Sequence, residues 1–389
     1  MSHSLRRDLP TNALLVGVIS ALIASSAFAE SSVTLYGIID EGIDYTNNSG
    51  GHSIWHMQDG TYDGVYGSRW GLSGSEDLGG GLSAVFKIES GFSTENGKML
   101  QGGRLFGRQS YVGISDNRFG TVTLGRQYDS IVDYLQPMTG LGNFGGANVH
   151  GGDIDNTVNS FRVDNAVKYT SPNLNGLKFG GLYSFTNTNA PGRGTTGLWS
   201  VGATYSVGGL NVAGAYLYAK DPAILLSDGD YVPNTTGAAI GAGGPFSYVG
   251  HPGNEQVFGA GVNYTVGSAT IGVDYTNTKF DDANGTTSTV KFENYEAWAK
   301  YNINAAWYAG IAYNYTHGHI GYNQAVPVYH QVGVTTGYSL SKRTSIYAIA
   351  IWQRAGGAAT NAAIFNGLTG DASSNNHQIA TRIGIYHLF

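Results

Sequence analysis

Trp199-Ser200-Val201-Gly202-Ala203-Thr204-Tyr205-Ser206-Val207-Gly208-Gly209-Leu210-Asn211-Val212-Ala213-Gly214-Ala215-Tyr216-Leu217-Tyr218 is the stretch that decides the fold. Side chains of an extended chain alternate between two faces. Val201, Ala203 and Tyr205 share one face, and Ser200, Gly202, Thr204 and Ser206 share the other. Val207-Gly208-Gly209 supplies a turn, after which Leu210, Val212, Tyr216 and Tyr218 return opposite Asn211, Ala213 and Ala215. The pattern recurs. Phe258, Ala260, Val262 and Tyr264 lead to a turn at Gly267-Ser268, and Ile271, Val273 and Tyr275 return. Tyr295, Ala297, Ala299 and Tyr301 face away from Glu296, Trp298 and Lys300; Trp307, Ala309, Ile311, Tyr313 and Tyr315 continue the apolar face.

Period two sustained over about ten residues is the signature of a membrane-crossing β-strand. The second face carries Gly, Ser, Thr, Asn and occasional charges, so it is expected to line water rather than pack a dry core. Tyrosines gather near strand ends, Tyr205, Tyr264 and Tyr301 by short turns and Tyr218, Tyr275 and Tyr315 by long ones. Aromatic girdles at the two membrane–water interfaces have that placement. Connections alternate in length, short Gly/Asn/Ser turns against long polar segments such as 220–254 and 317–329. Because an open sheet edge in lipid leaves backbone groups unpaired, the strands must close into a barrel.

Composition agrees. The 389 residues include 59 Gly and 26 Tyr but only 9 Pro, and charged residues are 12%, about half the share of roughly 25% in soluble domains. Mean hydropathy is slightly negative all the same. Few charges without overall greasiness suit a barrel wall of alternating apolar and small polar residues. A formal net charge of −6 gives no footing for nucleic-acid binding, and the absence of Cys excludes disulfides and thiolate metal sites. A soluble β-sandwich would want a larger aliphatic core and fewer tyrosines.

Arg6 and Arg7, the apolar run Ala13–Ala24 and Ala27-Phe28-Ala29 have the layout of a secretory signal peptide. The run is shorter than the ~20 apolar residues of a transmembrane helix. The expected organisation is a signal peptide over residues 1–29 and a single transmembrane β-barrel domain over 30–389.

The chain further resembles the Gram-negative general diffusion porins, in their β-proteobacterial branch. Val33-Thr34-Leu35-Tyr36-Gly37 resembles their mature start, and Ser68-Arg69-Trp70-Gly71-Leu72-Ser73-Gly74-Ser75-Glu76-Asp77-Leu78-Gly79 their second strand and turn. Arg108-Gln109-Ser110-Tyr111-Val112-Gly113 through Gly125-Arg126-Gln127-Tyr128 is similar to the hairpin before their third loop. Leu340-Ser341-Lys342-Arg343-Thr344 resembles the penultimate hairpin. Tyr386-His387-Leu388-Phe389 is an aromatic C-terminus like the one read by the barrel-assembly machinery, with Phe389 as the signal. The resemblance implies an all-β fold: a 16-stranded antiparallel transmembrane β-barrel with an inward-folded third loop. It implies an outer-membrane homotrimer among lipid and lipopolysaccharide, passing small hydrophilic solutes and ions passively through a water-filled channel.

The same resemblance implies a constriction in which arginines on the wall oppose carboxylates on the third loop. Opposed charges across a narrow low-dielectric throat focus a transverse field and set ion preference. Arg69, Arg108, Arg126 and Arg162 match the basic wall. Alternation supports Arg69 independently, since it lies out of phase with apolar Trp70 and Leu72, and a lipid-facing Arg at mid-membrane costs roughly 2–4 kcal/mol. Arg382 lies on the non-lipid parity of the last strand, opposite Ile379, Ile383, Ile385 and Phe389, and is expected in the lumen away from the throat. Loop three is expected from about Asp129 to Ser160. Its Asn143-Phe144-Gly145-Gly146 resembles a tip motif in which an acid precedes Phe-Gly-Gly; here Asn143 replaces the acid. Asp129, Asp133, Asp153 and Asp155 lie in the same loop, as compensation or as solvated carboxylates. Four arginines against fewer acids predict weak selectivity or a tilt to anions.

No cofactor, metal or enzymatic activity is expected. His317-Gly318-His319 reads as part of a Gly-rich outer loop without the spacing of a zinc motif, and Asp281-Asp282-Ala283-Asn284-Gly285 lacks the closing Glu of a calcium loop. Neither Gly-x-Ser-x-Gly nor a phosphate-binding loop is present. The alternatives are a sugar- or anion-specific porin and, more remotely, a barrel enzyme or an adhesin with an occluded lumen.

Overall fold

The computed structural model describes residues 31–146, 149–186, 196–226, 244–364 and 372–389. The signal peptide expected over 1–29 lies outside them. Among the described residues every strand belongs to one antiparallel sheet. Its first half comprises β1 (Ser32–Ser49), β2 (His52–Asp59), β3 (Arg69–Gly79), β4 (Leu82–Gly91), β5 (Gln109–Asp116), β6 (Gly120–Gln127), β7 (Val163–Thr170) and β8 (Leu177–Phe185). The second half comprises β9 (Thr196–Val207), β10 (Leu210–Lys220), β11 (Asn254–Val266), β12 (Ala269–Asp281), β13 (Val290–Asn302), β14 (Trp307–Ile320), β15 (Pro327–Ser339), β16 (Thr344–Gly357) and β17 (His377–Leu388).

The sheet closes where β1 meets β17, in register from Ile38 opposite Leu388 to Thr46 opposite Ala380. Seventeen strands make sixteen staves because β2 and β3 lie end to end against β1. Its upper half, from Glu41, pairs with β2, and its lower half, Ser32–Ile38, pairs with β3. The break between them, residues 60–68, is an inward excursion with no counterpart in the sequence reading. Phe389 seals the lower end of the seam: its N–H donates to the Gly37 carbonyl at 3.0 Å, and the Gly37 N–H donates back at 3.1 Å. Its ring lies over Gly37, where an added Cβ would fall 2.2 Å from the ring.

Alternation along the staves is as read. Val201 and Tyr205 are exposed to the lipid side whereas Ser200 is buried inside. Directly paired Tyr275, Tyr295 and Tyr315 form a row of neighbouring rings, with centroids 5.0 Å and 6.1 Å apart. Short turns at 80–81, 117–119, 208–209, 267–268 and 340–343 alternate with long connections such as 92–108, 128–162 and 221–253.

Three expectations are corrected. The connection after β14 is only 321–326, because β14 runs to Ile320; His317-Gly318-His319 therefore lies in a strand, not a loop. The inner face is not uniformly wet. Leu217, Val257, Phe280, Val290, Phe292 and Ile320 point inward and are wholly buried, packed with Ile131, Leu135, Ile154 and Phe161 of loop three into one core. The inward loop covers that half of the wall, so apolar residues are stable there. Arg382, finally, does not line water. It is 2% exposed and donates to Asp44 Oδ2 at 2.7 Å, Asp63 Oδ1 at 2.8 Å, Tyr347 Oη at 2.7 Å and the Gln58 carbonyl at 2.9 Å. Asp63 belongs to the inward excursion, so Arg382 rivets that segment to β1 and β16.

Removing one member of a buried charge cluster strands the others and costs about 3–5 kcal/mol. Arg382→Ala is expected to lower the urea midpoint of the detergent-folded barrel, and Arg382→Lys to recover little because its single ammonium cannot replace the fork. An unchanged midpoint for Arg382→Ala would refute the rivet.

Candidate constriction site

The third loop leaves β6 at Tyr128 and rejoins the wall before Val163, close to the limits expected. Asp129 starts its turn by accepting the Ile131 N–H at 2.7 Å, a side-chain turn that Asp forms readily. Its other oxygen accepts from Asn156 Nδ2 at 2.7 Å, tying the outgoing limb to the returning one. Burial pushes the Asp129 carboxyl up to about 6. The loop then crosses β9 to β14 along their inner faces. The Ser130 N–H donates to Ser200 Oγ at 3.0 Å, and Trp298 Nε1 donates to the Met138 carbonyl at 2.7 Å.

At the tip, Asn143 bonds within the loop, its Nδ2 donating to the Thr139 carbonyl at 2.7 Å, while its own carbonyl accepts from Lys300 Nζ at 2.7 Å. Phe144 is buried against Trp298 and Ala312. Its ring lies on Gly310, where a Cβ would stand 2.5 Å from it, so only glycine admits the ring to the wall. Gly145 has φ 66° and ψ −162°, a region essentially reserved for glycine. An added Cβ there would also meet Val65 of the inward excursion at 2.7 Å. The Gly146 N–H donates to the Gly64 carbonyl at 3.2 Å. The loop tip therefore touches the wall at β14 and the 60–68 excursion at once.

Between this loop, the 60–68 excursion and the wall at β1, β3, β4 and the start of β5 lies a cavity of about 1080 Å³. Arg69, Arg108 and Arg162 line it. Arg69 makes no hydrogen bond or ion pair among the described residues; its guanidinium stands 5.9 Å from the Tyr66 ring centroid. Arg108 Nε donates to Glu89 Oε1 at 2.8 Å and its Nη2 to Tyr128 Oη at 3.1 Å. Arg162 stands 5.8 Å from the Tyr128 ring centroid. Arg126 is placed differently. It does not line the cavity, and its guanidinium is engaged by Asp164 Oδ1 at 2.6 Å and the Gly107 carbonyl at 2.7 Å.

The loop carboxylates divide. Asp133 lines the cavity and pairs with Lys168. Asp129, Asp153 and Asp155 are enclosed, neither solvated nor facing the throat. Asp153 braces the loop by accepting from the Val158 N–H at 2.8 Å and from Ser160 Oγ. No loop acid other than Asp133 replaces the charge missing at Asn143.

Sequence reasoning missed Lys87 and Glu89. Both line the cavity, and Glu89 is a hub that accepts from Arg108, from Tyr128 Oη at 3.0 Å and from Tyr36 Oη at 2.8 Å. Lys87 Nζ stands 3.7 Å from Glu89 Oε2. Their signal was present: they alternate with apolar Phe86 and Ile88 and so share the inner face of β4.

Gly145→Ala is expected to undock the loop tip, since the φ/ψ strain alone costs on the order of 1–3 kcal/mol. Single-channel records should show larger, noisier conductance with unchanged barrel mobility on gels. Quiet wild-type conductance from the variant would mean that the tip does not set the throat.

Comparison with known proteins agrees with this geometry. The pattern that defines the Gram-negative porin family matches residues 13–358. An outer membrane porin protein of Bordetella pertussis is 42% identical over 185 residues, which is 44% of this chain and 48% of that protein. Outer membrane porin protein 32 of Delftia acidovorans is 29% identical over 95% of this chain and 98% of its own length. A solved structure described as an anion-selective porin from Comamonas acidovorans superposes with a TM-score of 0.69 at 24% identity, over 92% of this chain and all of that one. The chain belongs to the Gram-negative porin family, as an integral outer-membrane β-barrel that forms a channel.

Proposed function

We propose that the chain is a general diffusion porin whose throat favours small hydrophilic anions. One observation carries the reading. The cavity between loop three and the wall is bordered by four cationic side chains, Arg69, Lys87, Arg108 and Arg162, and by two carboxylates, Glu89 and Asp133. Glu89 is already matched by Arg108, and Asp133 by Lys168. Arg69 forms no ion pair of its own among the described residues and shares the single charge of Glu89 with Arg108 and Lys87. A surplus of positive charge at a narrow passage raises the local concentration of anions and holds back cations. Arg126 supports the wall through Asp164 rather than facing the solute. The cavity border carries a few tyrosines but no continuous aromatic ladder of the kind a sugar-specific channel would offer.

Purified protein in a planar bilayer under a KCl gradient is expected to give a reversal potential of anion-preferring sign. Arg69→Ala with Lys87→Ala should lower the anion-to-cation permeability ratio several-fold at similar conductance. A cation-preferring wild type would overturn the reading. Raising the salt should weaken the preference, because the Debye length falls from about 10 Å at 0.1 M to about 3 Å at 1 M.

We further infer a homotrimer, the usual state of the family this chain resembles, with Phe389 as the residue read by the assembly machinery. Unheated and heated samples on one gel test the trimer. A heat-labile species near three times the monomer mass is expected, and monomer alone in mild detergent would count against it.

A further inference from the structure

Behind loop three, away from the throat, the returning limb meets β12 and β13 at a cluster that the channel does not use. Asp274 and Glu296 are direct cross-strand partners on the inner face, and His150 of the loop sits against both. His150 Nε2 is 3.1 Å from Asp274 Oδ1 and 3.7 Å from Glu296 Oε2. The side chains are essentially closed to solvent, at 1%, 0% and 1% exposure for His150, Asp274 and Glu296.

Two features point to a ligand. Asp274 Oδ2 is buried without a hydrogen-bond partner among the described residues, and His150 Nε2 and Asp274 Oδ1, buried as well, have only each other at 3.1 Å. Buried polar atoms are nearly always paired, so a buried carboxylate oxygen left over beside that contact needs an explanation. The second feature is charge. Asp155, Asp274 and Glu296 are three carboxylates around one imidazole, and among the described residues no Lys or Arg forms an ion pair with any of them. The other buried His/carboxylate group, Asp44 with His56 and Asp63, differs: the Arg382 guanidinium already occupies it.

The orientation of His150 completes the case. Its Nδ1 is 2.5 Å from Asp155 Oδ2, and Asp155 is held in turn by Thr157, Thr276 and Asn294. A carboxylate on Nδ1 holds the ring with Nε2 toward Asp274 and Glu296, so a metal that displaced the Nε2 proton would meet all three, which is how metal-binding histidines are braced. Tetrahedral zinc with ligands at about 2.0–2.1 Å spaces those ligands ~3.3 Å apart, and the two distances from Nε2 bracket that value. One imidazole nitrogen with two carboxylates suits zinc rather than calcium or magnesium, which prefer all-oxygen shells. We propose that His150 Nε2, Asp274 and Glu296 bind one divalent ion of the zinc class, which clamps the returning limb of loop three to β12 and β13.

The test reads metal, not conductance, so it is independent of the selectivity reading. The mature chain is refolded in detergent with chelator-treated buffer, given zinc chloride, desalted and assayed for metal, with gel heat-modifiability as the check of folding. About one zinc per chain is expected in the wild type, with X-ray absorption showing nitrogen and oxygen ligands near 2.0–2.1 Å. His150→Ala and the near-isosteric Glu296→Gln should lose it, while His319→Ala, at an exposed position on β14, should keep it. Folded wild type without stoichiometric zinc overturns the site, as does full zinc retention by folded His150→Ala. The wild-type result decides even where a variant fails to fold.

Discussion

Backbone amides in hydrocarbon have no water to bond, so a strand that crosses a membrane must find partners on both sides. Everything else in this protein depends on that constraint. It demands the seam in which β1 pairs with β17, and it explains the Phe389 backbone bonds to Gly37 that finish it. Closure then creates an interior whose walls are half polar. Once an interior exists, the chain can fold segments into it, and both inward segments, 60–68 and 128–162, use the wall as their scaffold.

Those two segments meet through glycine. Gly145 and Gly146 adopt positive φ where they touch Val65 and Gly64, and Gly310 admits the Phe144 ring to the wall. Small residues at close approaches convert a floppy connection into a docked one. The docked loop then divides the lumen into two unlike halves. On the β9–β14 side it makes a dry core with Leu217, Val257 and Phe292. On the side of β1 and β3–β5 it leaves a cavity edged with more cations than carboxylates. One loop thus supplies both the stability of its own position and the charge asymmetry of the passage.

Charge is handled in three different ways across the interior. Arg382 is consumed in an internal cluster with Asp40, Asp44 and Asp63, and contributes structure. Arg126 is consumed against Asp164 at the edge of the throat. Arg69 forms no ion pair among the described residues and borders the cavity, where it shares Glu89 with two other cations. The residue type is the same in all three; the position of the nearest carboxylate decides the role. The cluster of His150 with Asp155, Asp274 and Glu296 inverts this logic, since there three acids share one imidazole.

Period-two patterning in segments such as Val201–Tyr205 and Ile271–Tyr275 determined the strands, their lipid faces and their short turns from the sequence alone, because side-chain alternation in a strand is local geometry. The membrane then dictates closure. Local patterning also placed Arg69 on the inner face and had the information to place Lys87 and Glu89 there. Only the tertiary structure decided which inner residues meet water and which are buried. Parity says that Arg382, Leu217 and Arg69 all point inward, but not that a loop or a strand break folded from elsewhere in the chain will cover two of them. Nor does any local pattern bring His150 to Asp274 and Glu296, which lie more than a hundred residues away in the chain. Contacts of that kind depend on where a loop docks, and docking is a property of the closed barrel as a whole.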